Sequence, residues 1–453
     1  MALFSTINTS KDENDGSRRL RGRLLLTLLL VLCALPFLVP VHHTLWQANV
    51  NPVTVAWMLL SSGLVLLMTP GLSFFYGGMV SVRNMISTML QSIVALGVVS
   101  LVWYTVGFSL AFGDSIGGVI GNPMTFAFLN NVGTAAHDRL GAALPLIVFA
   151  TFQLKFAIIT PALITGSLAE RVRFRGYVLF MVLFTLVIYC PLAHATWHPD
   201  GLLFRAGVLD FAGGTVVHIS AGVAALAGAL YIGRRDNYRP GQSLTPPNVP
   251  FVILGTGLLW FGWFGFNAGS ALAPDSTAVL AFVNTNLASA SAMIAWLVVD
   301  MSKGRKPSAI GACIGAVVGL VAITPGAGYV HVGPALVIGV LAAITSNIAV
   351  HWKTQTDIDD TLDVFPCHGI GGMVGMMLTA VFATEGGLIT GSTNLFIKHG
   401  IALVGVSLFV FVTSWVLYRI TDAIVALRVP TSDEVLGLDI SQHDETVLPA
   451  DGR

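Results

Sequence analysis

Apolar residues in this chain gather into long runs, and polar residues sit mostly in the stretches between them. Eleven runs approach or exceed roughly 18 residues, the length a helix needs to cross a hydrocarbon core about 30 Å thick. They predict helices over Val53–Tyr76, Ile86–Phe112, Ala143–Ser167, Tyr177–Thr196, Gly213–Ile232 and Phe251–Ala271. The others are Ala278–Val299, Ser308–Pro325, Val332–Val350, Phe365–Ala383 and Ile401–Ala426. Inside lipid the backbone has no water to bond, so such runs take helical form. The expectation is an all-α integral membrane protein with eleven transmembrane helices.

Composition agrees with the pattern. Hydrophobic residues make up 55% of the 453 residues, charged residues only 10%, and the mean hydropathy is +0.79. A soluble domain carries roughly 25% charged residues, so lipid is the solvent that accommodates this surface. The 48 glycines fit helices that pack closely in lipid, where small residues let backbones approach. A formal net charge of zero argues against a nucleic-acid partner. Cys33, Cys190, Cys313 and Cys367 have no paired spacing, which suggests neither a disulfide framework nor a zinc site.

Charge placement sets an expected topology. Arg18, Arg19, Arg21 and Arg23 precede an apolar stretch over residues 24–39, the arrangement of a secretory signal. A cleaved signal peptide within residues 1–48 is expected, and an uncleaved twelfth helix is the alternative. Either way the next segment starts outside. The loops then predicted to be cytoplasmic hold eleven basic residues, among them Arg171, Arg235, Arg305 and Lys353. Those predicted to be external hold only Arg139, Arg205 and Lys398, the asymmetry of the positive-inside rule. Residues 49–428 form the expected membrane domain, and 429–453 a cytoplasmic tail.

One spacing occurs twice. Asp210 precedes His218, and Asp360 precedes His368, by eight residues each (218 − 210 and 368 − 360). In the expected topology the fifth helix runs inward from its Asp and the tenth runs outward. Eight helical residues rise about 12 Å, which brings both imidazoles near the centre of the core from opposite faces. Five helices, five inverted helices and one extra C-terminal helix form an inverted-repeat pattern, whose working site lies near the midplane.

Neutral histidines at that depth are hydrogen-bond partners and proton relays; simple structural satisfaction of backbone carbonyls is the plainer alternative. No third metal ligand shares their depth except Cys367, which points about 100° away from His368 on a helix, so no metal is expected. Asp210 and Asp360 read as helix-capping carboxylates, Asp210 also adding negative potential at an external mouth. The run Gly262–Ser270 crowds aromatic and small polar residues on the same outer side as Trp197. Aromatic faces there attract a cation, although Trp197 also suits a membrane-interface belt.

These segments resemble the Amt/Mep/Rh ammonium transporters, and most closely the bacterial Amt branch, from about Asn51 to Asp439. The resemblance is carried by Pro70–Gly78, Ala169–Phe174, Asp210–His218, Gly262–Ser270, Ala281–Thr285 and Leu427–Pro430. It implies a homotrimer in the bacterial inner membrane, each subunit with its own pore for ammonium, with methylammonium a further candidate, and no cofactor. It also implies an external ammonium site at Phe156, Trp197 and Ser270, a gate of Phe156 and Phe266, and twin pore histidines at His218 and His368. The family mechanism separates ammonium into ammonia and a relayed proton.

Three departures stand beside it. Lys155 occupies an apolar run where relatives carry an uncharged residue, and is expected at a subunit or helix interface. Pro366-Cys367 precedes His368 where many relatives have Gly-Val. The tail keeps Glu434, Gly437, Leu438 and Asp439 but reads His443-Asp-Glu445, which bears on control by a cytoplasmic PII-type protein. An ammonium sensor of the same fold and an Rh-like channel for neutral gas are rival readings. An intramembrane enzyme is disfavoured, because no nucleophile pairs with either histidine and no HExxH motif occurs.

Overall fold

In the computed structural model, residues 20, 22–37, 50–241 and 246–447 are described. All eleven predicted segments are helical. We number them α1 (Pro52–Met79), α2 (Val82–Phe112), α3 (Leu146–Leu168), α4 (Phe174–Arg205), α5 (Gly214–Ile232) and α6 (Val249–Ala271). The remainder are α7 (Ser276–Ser302), α8 (Ala309–Ile323), α9 (Val332–Thr354), α10 (Phe365–Phe382) and α11 (Asn394–Ile424). Among the described residues, ten of these are long and apolar enough to cross a membrane, which makes this an all-helical membrane protein.

The exception is α8. It ends at Ile323 rather than at the predicted Pro325, with Thr324 as a C-cap of helical dihedrals whose amide donates back to the Val321 carbonyl. Its 15 residues span about 22 Å. An N-terminal apolar helix, Gly22–Ala34, is also present and shorter than a span. The region expected to hold a signal-peptide cleavage site lies outside the described residues.

Local chemistry explains the helix starts. The Asn51 side chain accepts from the amides of Val53 and Thr54, Asn248 from Phe251, Asp275 from Ala278, and Ser308 from Gly311. Each satisfies an amide left unpaired in a first turn. Burial then sorts the helices: 78% of an 18-residue apolar stretch is buried in both α3 and α5, against 28% in α11. The centre is therefore built around α3 and α5, while α11 lies at the edge.

Glycine brings several helix pairs into backbone contact, two of them as follows. A Cβ on Gly255 of α6 would lie 2.3 Å from the Phe75 nitrogen of α1, and one on Gly222 of α5 would lie 2.2 Å from the Gly369 nitrogen of α10. The second contact sets the site described below.

At the end of the bundle that carries Asp360, charged side chains tie the loops together. Arg235 is paired through its guanidinium with Asp359 at 2.8 Å and with Glu170 at 2.6 Å. Arg171 donates to the carbonyls of Gly233, Ala169 and Asp359. Burial raises the Asp359 carboxyl, but Arg171 and Arg235 outweigh it and leave the group below its ordinary value. The chain after α11 returns to this end, where Asp439 accepts the amides of Ile86 and Ser87 at the start of α2.

Candidate functional site

The two histidine units share an unusual local build. Helical geometry does not run from the aspartates, as the spacing argument assumed. Instead Asp210 precedes a left-handed Gly213 (φ 116°), and α5 begins at Gly214 with a π-helical stretch to Ile219. Likewise Asp363 has φ 58°, and α10 opens with a π-helical stretch, Phe365–Ile370. Each aspartate holds its helix start from outside. Asp210 accepts the amides of Gly213, Gly214 and Thr215 at 2.9, 2.6 and 2.7 Å, and the Thr215 hydroxyl. Asp360 accepts the amides of Val364 and Phe365 at 3.1 and 2.7 Å. Burial pushes the Asp360 carboxyl above its ordinary value, opposed by Lys353.

From those starts His218 and His368 meet. Their Nδ1 atoms are 3.3 Å apart, with ring centroids at 5.4 Å, and the residues are 1% and 4% exposed. One Nδ1 must carry hydrogen and the other accept it, so the pair shares a single proton across the contact. His218 Nε2 is buried and has no hydrogen-bond partner among the described residues. The surroundings are apolar: Leu72, Ile159, Leu163, Val217, Leu259 and Val317 line the same narrow passage. Trp263 stacks on His218 at 5.3 Å and is held by Thr324, to which its Nε1 donates at 3.0 Å.

Above the histidines lies an aromatic plug. Phe266 has its ring centroid 6.0 Å from His218 and stacks on Phe156 at 4.1 Å and 26°. Phe156 in turn meets Trp197 edge-on at 5.9 Å. Beyond the plug a cavity of about 520 Å³ opens, and Phe156, Trp197, Asp210 and Ser270 all line it. Trp197 Nε1 donates to the Asp210 carbonyl at 3.0 Å, which fixes the indole. The Ser270 hydroxyl donates to the Phe266 carbonyl at 2.8 Å, leaving its oxygen free to accept.

Below the histidines the opposite cavity, about 450 Å³, is lined by Arg239, Arg305, Lys306 and Lys353 against Asp300 and Asp363. Asp360 lies near this end, apart from the aromatic mouth. Lys155 is partly buried on α3, on the strip that also holds Ile147, Thr151 and Leu154, and it does not line the mouth cavity.

Sequence reasoning missed Gln153 and Thr196. Both line the mouth cavity and are buried, and Gln153 Oε1 and Thr196 Oγ1 have no hydrogen-bond partner among the described residues. Gln153 lies three residues before Phe156, so helical periodicity from Phe156 was the available signal. Asp275 and Tyr329 also line the mouth, and only the tertiary fold brings them there.

Comparison with known proteins gives the family of this chain. Residues 56–448 match the profile of the Ammonium Transporter Family. The chain is 42% identical over 406 residues to an ammonium transporter of Aquifex aeolicus, covering 88% of this chain and 94% of that one. The solved structure of Saccharomyces cerevisiae Mep2 superposes with a TM-score of 0.80 at 33% identity, covering 85% of this chain and 89% of Mep2. A structure described as a sensor Amt protein gives 0.79 at 31% identity, covering 86% and 98%. With a family match over most of its length and an unbroken series of mouth, aromatic plug and paired histidines, the chain belongs to the ammonium transporter family.

Proposed function

We propose that this protein conducts ammonium by separating it into ammonia and a proton, and that the direct contact between His218 and His368 is the observation that carries this reading. An ammonium ion at the mouth lies against the faces of Phe156 and Trp197, a cation–π attraction of about 0.5–2 kcal/mol, with Ser270 accepting one N–H. The Asp210 carboxylate already serves four donors, so it acts through its field and its hold on α5 rather than by contact. An unpaired cation in the apolar passage is costly, whereas neutral ammonia is not. Deprotonation at the plug lets ammonia pass Phe156 and Phe266.

The proton takes a separate route along the histidines. In the starting state His218 carries hydrogen on Nδ1, and His368 carries it on Nε2 while its Nδ1 accepts. Uptake at the vacant His218 Nε2, transfer of the shared hydrogen to His368 Nδ1, and release from His368 Nε2 move one proton past the pair. Charge therefore crosses even though the permeating gas is neutral.

Several wider features belong to the same proposal. Eleven helices cross, α8 included, as two inverted sets of five with α11 added; the matched units at the starts of α5 and α10 support this. The Asp210 end faces outward and the basic end inward, in a bacterial inner membrane. Residues 1–48 act as a signal segment, 49–428 as the transport domain and 429–453 as a cytoplasmic tail open to a PII-type regulator, in a homotrimer. Lys155, set off from the mouth lining, faces an interface and not the pore.

Ammonium pulses on solid-supported membranes test the reading. Saturable charge movement is expected from the wild type and its loss from the His218→Ala, His368→Ala double variant. Charge movement unchanged in that variant sinks the relay. Similarity to the sensor Amt structure favours one second reading, ammonium sensing on the same fold; wild-type protein that binds ammonium without moving charge would support it.

A further inference from the structure

A buried histidine outside the passage holds two backbone groups that are far apart in sequence. His399, near the start of α11, is 0% exposed. Its Nδ1 lies 2.9 Å from the Met376 carbonyl oxygen on α10, and the Leu209 amide donates to its Nε2 at 3.0 Å. An amide can only donate, so Nε2 accepts and Nδ1 carries the hydrogen given to Met376. This is the neutral imidazole in one tautomer, with both nitrogens satisfied. An apolar side chain here would leave two buried backbone groups unpaired.

Both partners lead to the site. Leu209 precedes Asp210, whose carbonyl fixes Trp197 and whose carboxylate holds the start of α5. Leu209 and Asp210 both line the mouth cavity. Met376 lies eight residues beyond His368 on α10 (376 − 368). His399 therefore braces the helix of one central histidine against the segment that sets Trp197 and the helix of the other.

We propose that His399 is a positioning residue for the ammonium site, holding the Leu209–Asp210 segment and the Trp197 ring in register with α10. The proposal rests on the transport reading above. A residue serving stability alone would alter the amount of folded protein but not the ammonium concentration at which folded protein responds. A positioning residue alters that concentration. Glutamine can replace both contacts, its oxygen accepting from Leu209 and its amide donating to Met376, whereas leucine replaces neither.

The test uses the full-length protein reconstituted for electrophysiology, together with hydrogen exchange of the amides over 208–214. His399→Leu is expected to raise the half-saturating ammonium concentration by about fivefold or more, with maximal charge movement within about twofold of wild type. Its amides over 208–214 should exchange about tenfold faster, and His399→Gln should restore both readouts. An unchanged half-saturation in His399→Leu, a loss confined to the maximal rate, or folded His399→Gln behaving like His399→Leu overturns the proposal. Should His399→Leu fail to fold, His399→Asn, which reaches one partner only, is judged by the same criteria. Exchange needs no transport, so a wild type without ammonium-evoked current refutes the proposed function while the brace is still decided.

Discussion

Gly222 and Gly369 touch backbone to backbone: a Cβ on Gly222 would sit 2.2 Å from the Gly369 nitrogen and 2.4 Å from its Cα. No side chain can occupy that space without moving α5 from α10. His218 lies four residues before Gly222, and His368 immediately precedes Gly369. The closeness of the glycines is what lets two imidazoles meet at 3.3 Å.

Gly222→Ala should therefore separate the histidines. Overpacking of a filled interface costs about 1–3 kcal/mol, and charge movement should fall by about tenfold or more in protein that still folds. Gly97→Ala, where an added Cβ meets nothing within 4 Å among the described residues, is the control and should transport as wild type. Equal currents from the two variants would remove the glycine contact from the mechanism.

Trp197→Phe keeps an aromatic face but deletes the Nε1–H held by the Asp210 carbonyl at 3.0 Å. Half-saturation for ammonium should rise by about threefold to tenfold, the loss of one hydrogen bond worth about 1 kcal/mol, with little change in maximal current. Trp197→Leu, which removes the face as well, should be weaker still. The measurement is a concentration series of ammonium pulses.

Lys155→Met should leave ammonium current nearly intact, within about twofold, since a charge at an interface adds little to a pore it does not line. A large gain or loss of current would place this side chain in the conduction path.

The ion cluster at the basic end predicts a pH dependence. Asp359 is held below its ordinary value in the folded protein, so its contribution is present above the usual aspartate range. It is lost as pH falls through the lowered folded value. Melting temperature in detergent should therefore drop as pH is taken below about 4. Asp359→Asn should be destabilised at neutral pH, by about 3–5 kcal/mol because Arg235 and Arg171 are left buried with less compensation. It should also show a shallower acid decline. An unchanged decline would assign the acid sensitivity to other carboxylates.

Much of this protein was legible in its sequence because lipid imposes local rules. Every backbone amide in a span must bond within its own helix, so eleven apolar runs sufficed to locate eleven helices, with ends displaced by only a few residues in most. Capping chemistry at Asn51, Asn248 and Asp275 lies in the sequence too, since a cap and the amides it serves are neighbours in the chain. The eight-residue Asp–His spacing was equally local, and it singled out two histidines that meet in the fold, although the helix begins after Gly213, not at Asp210.

Tertiary structure alone decided the rest. The contact of His218 with His368, the stacking of Phe156 on Phe266, and the brace of His399 between Met376 and Leu209 each join residues far apart in the chain. Their geometry depends on how closely helices approach, and that is set by packing volume at positions such as Gly222 and Gly369, which no single run of residues records. Apolar periodicity reports which solvent a segment prefers; only side chains meeting across helices determine which atoms a proton can travel between.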